Sequence, residues 1–212
     1  ASHITLQNLS IKGAAEGRWS HGVYVNKRGS NRYITLKNLD IQWQGQKDGG
    51  SGIFIFDQED ANLHVQNVTA SGASDGIYLK GSNAIRVEDC TFHGNIEDGI
   101  DYNGGTQILL LNNECYGNGD RGIVVHGNEL TQSGGVLRGN NLHGNKDGIA
   151  FYLATGTRVV DNDIEGNSDY GLRIVAQDLT IERNRLTSNV KGNINENENC
   201  IRITYTNNVL VD

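Results

Sequence analysis

A glycine stands immediately before a short apolar run at Gly22, Gly52, Gly76, Gly99, Gly122, Gly148 and Gly171, with spacings of 30, 24, 23, 23, 26 and 23 residues. A unit that repeats in the low twenties cannot bury its own apolar face and has to stack on its neighbours, so the chain is a solenoid. Within each unit the apolar residues alternate. Ile77, Ile100, Ile123 and Ile149 lie one position after the glycine and Leu79, Tyr102, Val125 and Phe151 three after it, a column that begins at Val23 and Val25 and is read to end at Ile201 and Ile203. Two further columns precede the next glycine, one through Leu6, Leu36, Val65, Val87, Leu110, Leu137, Val159 and Ile181, the other through Ile11, Ile41, Ala70, Phe92, Cys115, Leu142, Ile164 and Leu186. Period two means strands, and no segment carries a helical period.

These columns predict an all-β chain, a single right-handed parallel β-helix domain over residues 1–212 with about eight coils and no capping element. Asn113, Asn140, Asn162 and Asn184 share one position, one coil after Cys90, and are expected to form an internal amide ladder. The glycine column, and the second glycines of Gly94-Asn95, Gly117-Asn118, Gly144-Asn145 and Gly166-Asn167, are expected at positive φ. The absence of Pro fits strands that must all donate their N–H groups. The absence of Met marks a processed chain or a segment of a longer one, whose open ends would stack end to end on further chain or on another subunit. Cys90, Cys115 and Cys200 show no disulfide framework and no zinc spacing.

Charge narrows the function. With 25 acidic against 18 basic residues, a net charge of −7 and no basic cluster, a nucleic-acid partner is excluded. No run of eighteen apolar residues provides a membrane span.

Outward positions of the strand after the glycine depart from an ordinary solvated face. One column is read as Tyr24, Phe54, Tyr78, Asp101, Val124, Ala150, Arg173 and Arg202, the next as Asn26, Phe56, Lys80, Asn103, His126, Tyr152, Val175 and Thr204. Lys80, Asp101, Asn103 and His126 together supply a cation, a carboxyl, an amide and an imidazole, the set that abstraction of a proton α to a carboxylate requires. Lys80 or Arg173 would neutralise the carboxylate, His126 would be the base, Asn103 would polarise, and Tyr78 or Tyr152 would be the acid. Extra residues at 14–20, 42–51, 127–133 and 190–199 would wall the strand into a groove. Trp19 and Trp43 in the first two, with Tyr24, Tyr78, Tyr152, Arg173 and Arg202, form the candidate sugar-binding set. Asp75 and Asp98, stacked before the glycine, would share a Ca²⁺ ion if they hold a metal, and otherwise are turn formers.

The stretch Asp98-Gly99-Ile100-Asp101, followed one coil later by Gly117-Asn118-Gly119-Asp120-Arg121-Gly122-Ile123, resembles the catalytic coil of the mannuronan C5-epimerases. The resemblance places Asp101 on the aspartate of that family's Asp-Pro-His motif, while Tyr102 and Asn103 stand where the family has Pro and His. It implies a secreted or cell-surface protein acting on an acidic polysaccharide, by lyase or epimerase chemistry. The alternative is a non-catalytic carbohydrate-binding or structural rod of an adhesin or tailspike.

Overall fold

The computed structural model describes residues 3–14, 20–26, 33–44, 49–57, 62–127 and 134–211. Over these the chain is a parallel β-helix: one sheet of eight strands and one of fifteen, in which the strands of successive coils pair in parallel and join residues about one repeat apart. Among the described residues no helix is long and apolar enough to cross a membrane. The eight-stranded sheet is the first face. It runs through Val23–Asn26, Ile53–Phe56, Ile77–Lys80, Ile100–Asn103, Arg121–His126, Asp147–Thr155, Tyr170–Gln177 and Gly192–Glu196.

The second and third faces are continuous in the strands Ile4–Ala14, Tyr33–Gln44 and Asn62–Ser71, and separate from Ile85–Glu88 and Thr91–His93 onward. The regular coil with three separate strands therefore occurs six times among the described residues, fewer than the eight read from the columns, because the first coils bend one long strand instead of breaking it. The bend falls at Asn8, Asn38 and Asn67, all at positive φ. Their amides bond outside the core, Asn67 Nδ2 donating to Asn38 Oδ1 at 2.9 Å and Asn38 Nδ2 to Asn8 Oδ1 at 2.8 Å. Asparagine tolerates that left-handed conformation better than other side chains.

Alternating residues fill the lumen. Ile77, Leu79, Ile100, Tyr102, Ile123, Val125, Ile149 and Phe151 are wholly buried, as are Cys90 and Cys115, within one continuous cluster. Asn113, Asn140, Asn162, Asn184 and Asn208 form the expected ladder, each Nδ2 donating to the next Oδ1 at 2.8–3.1 Å. Its first oxygen accepts the backbone N–H of Cys90 at 3.1 Å. A second buried ladder runs through Asn95, Asn118, Asn145, Asn167 and Asn189. The first four of these asparagines follow the glycines Gly94, Gly117, Gly144 and Gly166, which do have positive φ as expected, and Asn189 follows Ser188, also at positive φ.

The glycine column before the first face has a different cause. None of Gly22, Gly52, Gly76, Gly99, Gly122, Gly148 or Gly171 is at positive φ. A Cβ on Gly122 would sit 2.8 Å from the carbonyl oxygen of Gly148 and 3.0 Å from Asn145 Nδ2, and the same collision with the next coil recurs along the column. Close stacking, not turn geometry, demands glycine there. Gly122→Ala is accordingly expected to destabilise the fold by about 1–3 kcal/mol, the usual cost of overpacking, in urea titrations.

The last coil also departs from the sequence reading. The first-face strand there is Gly192–Glu196, with Ile194 on Leu172 and Asn195 on Arg173. Ile201 bridges Gln177 beyond the strand, and Thr204 pairs with Thr180 on the second face. Only one apolar residue of Gly192–Glu196 points inward, so the Ile201-Arg202-Ile203 alternation mimicked the column.

Candidate functional site

The first face is aromatic at one end. Tyr24, Phe54 and Tyr78 occupy successive coils with rings nearly parallel, at 5.3 Å and 5.0 Å between centroids. After Tyr78 the column drops to Asp101 and then to Val124; beside it Lys80, Asn103 and His126 are register neighbours. A second ring pair begins at His126, stacked on Tyr152 at 5.2 Å. Between the rings of Tyr78 and of the His126 coil, over two coil spacings or about 9.6 Å, the outward positions carry the shorter side chains of Asp101 and Asn103, and this gap between the ring groups is the notch. The structure thus brings together all four residues read as catalytic from the sequence.

Asp101 is the unusual member. Its Oδ1 is buried without a hydrogen-bond partner among the described residues, and His126 Nε2 lies 3.9 Å away. Burial, then the nearby carboxyls of Asp75 and Asp98, hold Asp101 well above the ordinary carboxylate range. Burial, then the Arg121 charge, pushes His126 below the ordinary imidazole value. Both shifts run toward the neutral form, with an acid facing a base across the gap. Tyr78 is pushed up to about 12 by burial and then by Asp101 and Asp75, so its phenol keeps its proton. Lys80 is exposed and forms no ion pair among the described residues.

Asp75 and Asp98 stack as expected, but their oxygens are committed. Asp75 Oδ1 accepts the Asp98 N–H at 3.3 Å and Asp98 Oδ1 accepts the Arg121 N–H at 2.8 Å, continuing the coil-to-coil ladder. Burial raises them to about 8 and about 7, toward the neutral form. Among the described residues no group of three His, Cys, Asp or Glu side chains is placed to hold a metal ion.

The arginines read as substrate contacts are occupied. Arg173 holds Asp147 with Nε at 2.7 Å and Nη2 at 3.2 Å. Arg202 lies off the first face, paired with Asp178. It leaves the column because Asn195 takes the place next to Arg173. Trp43 does not wall the notch: its indole lies over Gly13, packs against the core and donates Nε1–H to the Ser20 carbonyl at 3.0 Å. Trp19 lies outside the described residues, as do parts of the segments read as groove walls. Tyr24 is half exposed and accepts from Asn26 Nδ2 at 2.8 Å, at the far end of the ring stack.

Sequence reading missed Arg121. It occupies the position before the glycine, where Asp75, Asp98 and Asp147 stand in other coils, and that break in an acidic column was the available signal. Its Nη1 pairs with Asp120 at 2.6 Å, and its Nη2 donates to the Tyr152 hydroxyl at 3.3 Å.

The comparisons with known proteins follow this architecture. The chain superimposes on the periplasmic alginate epimerase AlgG with TM-score 0.62 and 15% identity, covering 90% of this chain and 48% of AlgG. The chain thus spans about half the length of that protein. The A-module of the Azotobacter vinelandii mannuronan C-5 epimerase AlgE6 gives TM-score 0.62 at 17% identity, over 92% of this chain and 71% of the module. Pectate lyase Pel9A gives 0.59 at 14%, over 99% and 69%. No curated protein matches the sequence. Identities this low speak for the fold alone. The family described as right handed beta helix region matches over residues 1–129 and again over 75–212, and the chain belongs to that family of right-handed parallel β-helices.

Proposed function

We propose that this β-helix acts on an acidic polysaccharide outside the cytoplasm, by polyuronate lyase or C5-epimerase chemistry at the Asp101 notch. The observation that carries the reading is the Asp101–His126 pair, a buried unpartnered carboxyl oxygen 3.9 Å from an imidazole, on a face that also offers Lys80. The names of the similar structures, two alginate-type epimerases and a pectate lyase, support it.

In a uronate the proton on C5 is α to the C6 carboxylate. Neutral His126 takes that proton, and the electron pair left on C5 spreads into the carboxylate, where Lys80 and the neutral Asp101 offset the growing charge. Asn103 offers an amide to the same group. Expelling the C4 oxygen, with Tyr78 or Tyr152 donating a proton, leaves a C4–C5 double bond; returning a proton to the opposite face of C5 gives the epimer.

The test is absorbance near 235 nm together with proton NMR on alginate and polygalacturonate, beside His126→Ala. A new unsaturated end or an inverted C5, lost in the variant, is the expected result. Silence on both polymers, with either one retarding the protein in an affinity gel, would replace the enzyme with a binding rod. A Ca²⁺ ion at Asp75 and Asp98 would show as a melting temperature raised by Ca²⁺ and not by Mg²⁺.

A further inference from the structure

Beside the Asp101–His126 pair runs a chain of contacts through Arg121, a residue to which the proton chemistry above gives no role. Arg121 begins the strand Arg121–His126 and His126 ends it, so the two side chains leave the same strand five positions apart. They meet again through the next coil. Tyr152, the register neighbour of His126, stacks its ring on the imidazole at 5.2 Å and 19° between planes. The hydroxyl of the same tyrosine accepts from Arg121 Nη2 at 3.3 Å, with the guanidinium carbon 5.5 Å from the ring centroid.

Arg121 is itself anchored. Nη1 lies 2.6 Å from Asp120 Oδ2 and 3.8 Å from Asp98 Oδ1, and the backbone N–H of Arg121 donates to that same Asp98 oxygen at 2.8 Å. Asp120 in turn is held by Lys146 at 3.2 Å. A fork-shaped guanidinium can grip a carboxylate and a phenol at once, which an ammonium on a flexible stem cannot do with the same geometry. The other arginine of this face, Arg173, directs its Nε and Nη2 to Asp147 instead.

We propose that Arg121 is a positioning residue for His126: by fixing the Tyr152 hydroxyl it holds the ring on which the imidazole stacks, and so aims His126 into the notch toward Asp101. This rests on the reading of His126 as the proton-transfer group. The other charged or titratable groups around the imidazole are Asp101 on the preceding coil, Tyr152 and then Arg173 on the following ones, and Lys80 and Tyr78 two coils back. Unlike these, Arg121 stands on the strand of His126 itself and contacts Tyr152 from there.

The experiment follows the His126 ring by NMR in the full chain, across pH, for the native protein and for Arg121→Gln, Arg121→Lys and Tyr152→Phe. Arg121→Gln is expected to raise the His126 titration midpoint, because a neighbouring positive charge is gone. Tyr152→Phe keeps the ring but frees it from Arg121. Contacts between the imidazole and the Asp101 coil should weaken there, a readout that does not depend on whether the Tyr152 hydroxyl also serves as the acid. Arg121→Lys should keep the midpoint and lose the contacts, separating charge from placement. If Arg121→Gln fails to fold, Tyr152→Phe carries the test alone. An unaltered His126 midpoint in Arg121→Gln, or unaltered imidazole contacts in Tyr152→Phe, overturns the proposal. Altered His126 signals in a protein that turns over neither polymer would leave the positioning intact and sink the enzymatic reading instead.

Discussion

Asn162→Ala is expected to lower the stability of the fold by about 3–5 kcal/mol, the sum of several buried polar groups left without partners at about 1–3 kcal/mol each. Asn162 stands in the middle of the first amide ladder. Its Nδ2 donates to the Leu137 carbonyl at 2.9 Å and to Asn184 Oδ1 at 2.8 Å. Its Oδ1 accepts both the backbone N–H and the side-chain amide of Asn140, each at 2.9 Å. Alanine strips the buried Asn140 N–H and Leu137 carbonyl of their side-chain partner and breaks the ladder between Asn140 and Asn184. Asn141→Ala is the matched control. That residue is exposed and reaches Glu114 only at 3.5 Å, so its loss should stay within about 0.5 kcal/mol. Urea midpoints measure both, and equal midpoints for the two variants would show that the ladder contributes little.

Stability is also expected to fall between pH 5 and pH 8.5, by roughly 2–4 kcal/mol, through the carboxyls beneath the notch. Burial raises Asp75 to about 8 and Asp98 to about 7, and holds Asp101 higher than an ordinary carboxylate. In the unfolded chain these groups ionise near pH 4. Between that point and their folded values the native state keeps protons that the unfolded state has lost, so raising the pH favours unfolding. Their contribution is complete below about pH 4 and is gone once the pH passes the folded values. Exposed acids paired with arginine, such as Glu165 with Arg185 and Asp178 with Arg202, have lowered values and act in the opposite direction, losing stability as pH falls through them. The optimum therefore lies on the acidic side of neutrality. Thermal melts should show a midpoint roughly 5–10 °C lower at pH 8.5 than at pH 5. Asp75→Asn, which keeps the shape without the proton, should flatten that slope; a slope unchanged in the variant would place its origin elsewhere.

Much of the architecture was legible because it is one-dimensional. Period-two alternation names the inward residue of every strand, and a fixed coil length stacks like on like, so Ile100, Tyr102, Cys115 and the Asn113 ladder could be placed without coordinates. The same register put Lys80, Asp101, Asn103 and His126 on one face. Where the cue was composition and not register, the reading slipped. Ile201 and Ile203 looked like a column and Gly192–Glu196 did not, since only Ile194 carries the pattern there.

What only the tertiary structure decided depends on distances across coils. The glycine column exists because the next coil's carbonyl occupies the space of a Cβ, a constraint that leaves no trace in φ preference. Arg173 and Arg202 look alike as charges, but Arg173 is held by Asp147 while Arg202 lies off the first face, where Asn195 takes the next place in the column. Arg121 enters it for the converse reason, since a side chain 3.3 Å from the Tyr152 hydroxyl is a matter of rotamer and burial. A repeat determines which residues are neighbours; which of those neighbours share a proton, a charge or a ring face is settled by packing, because such contacts change within an ångström while the register does not change at all.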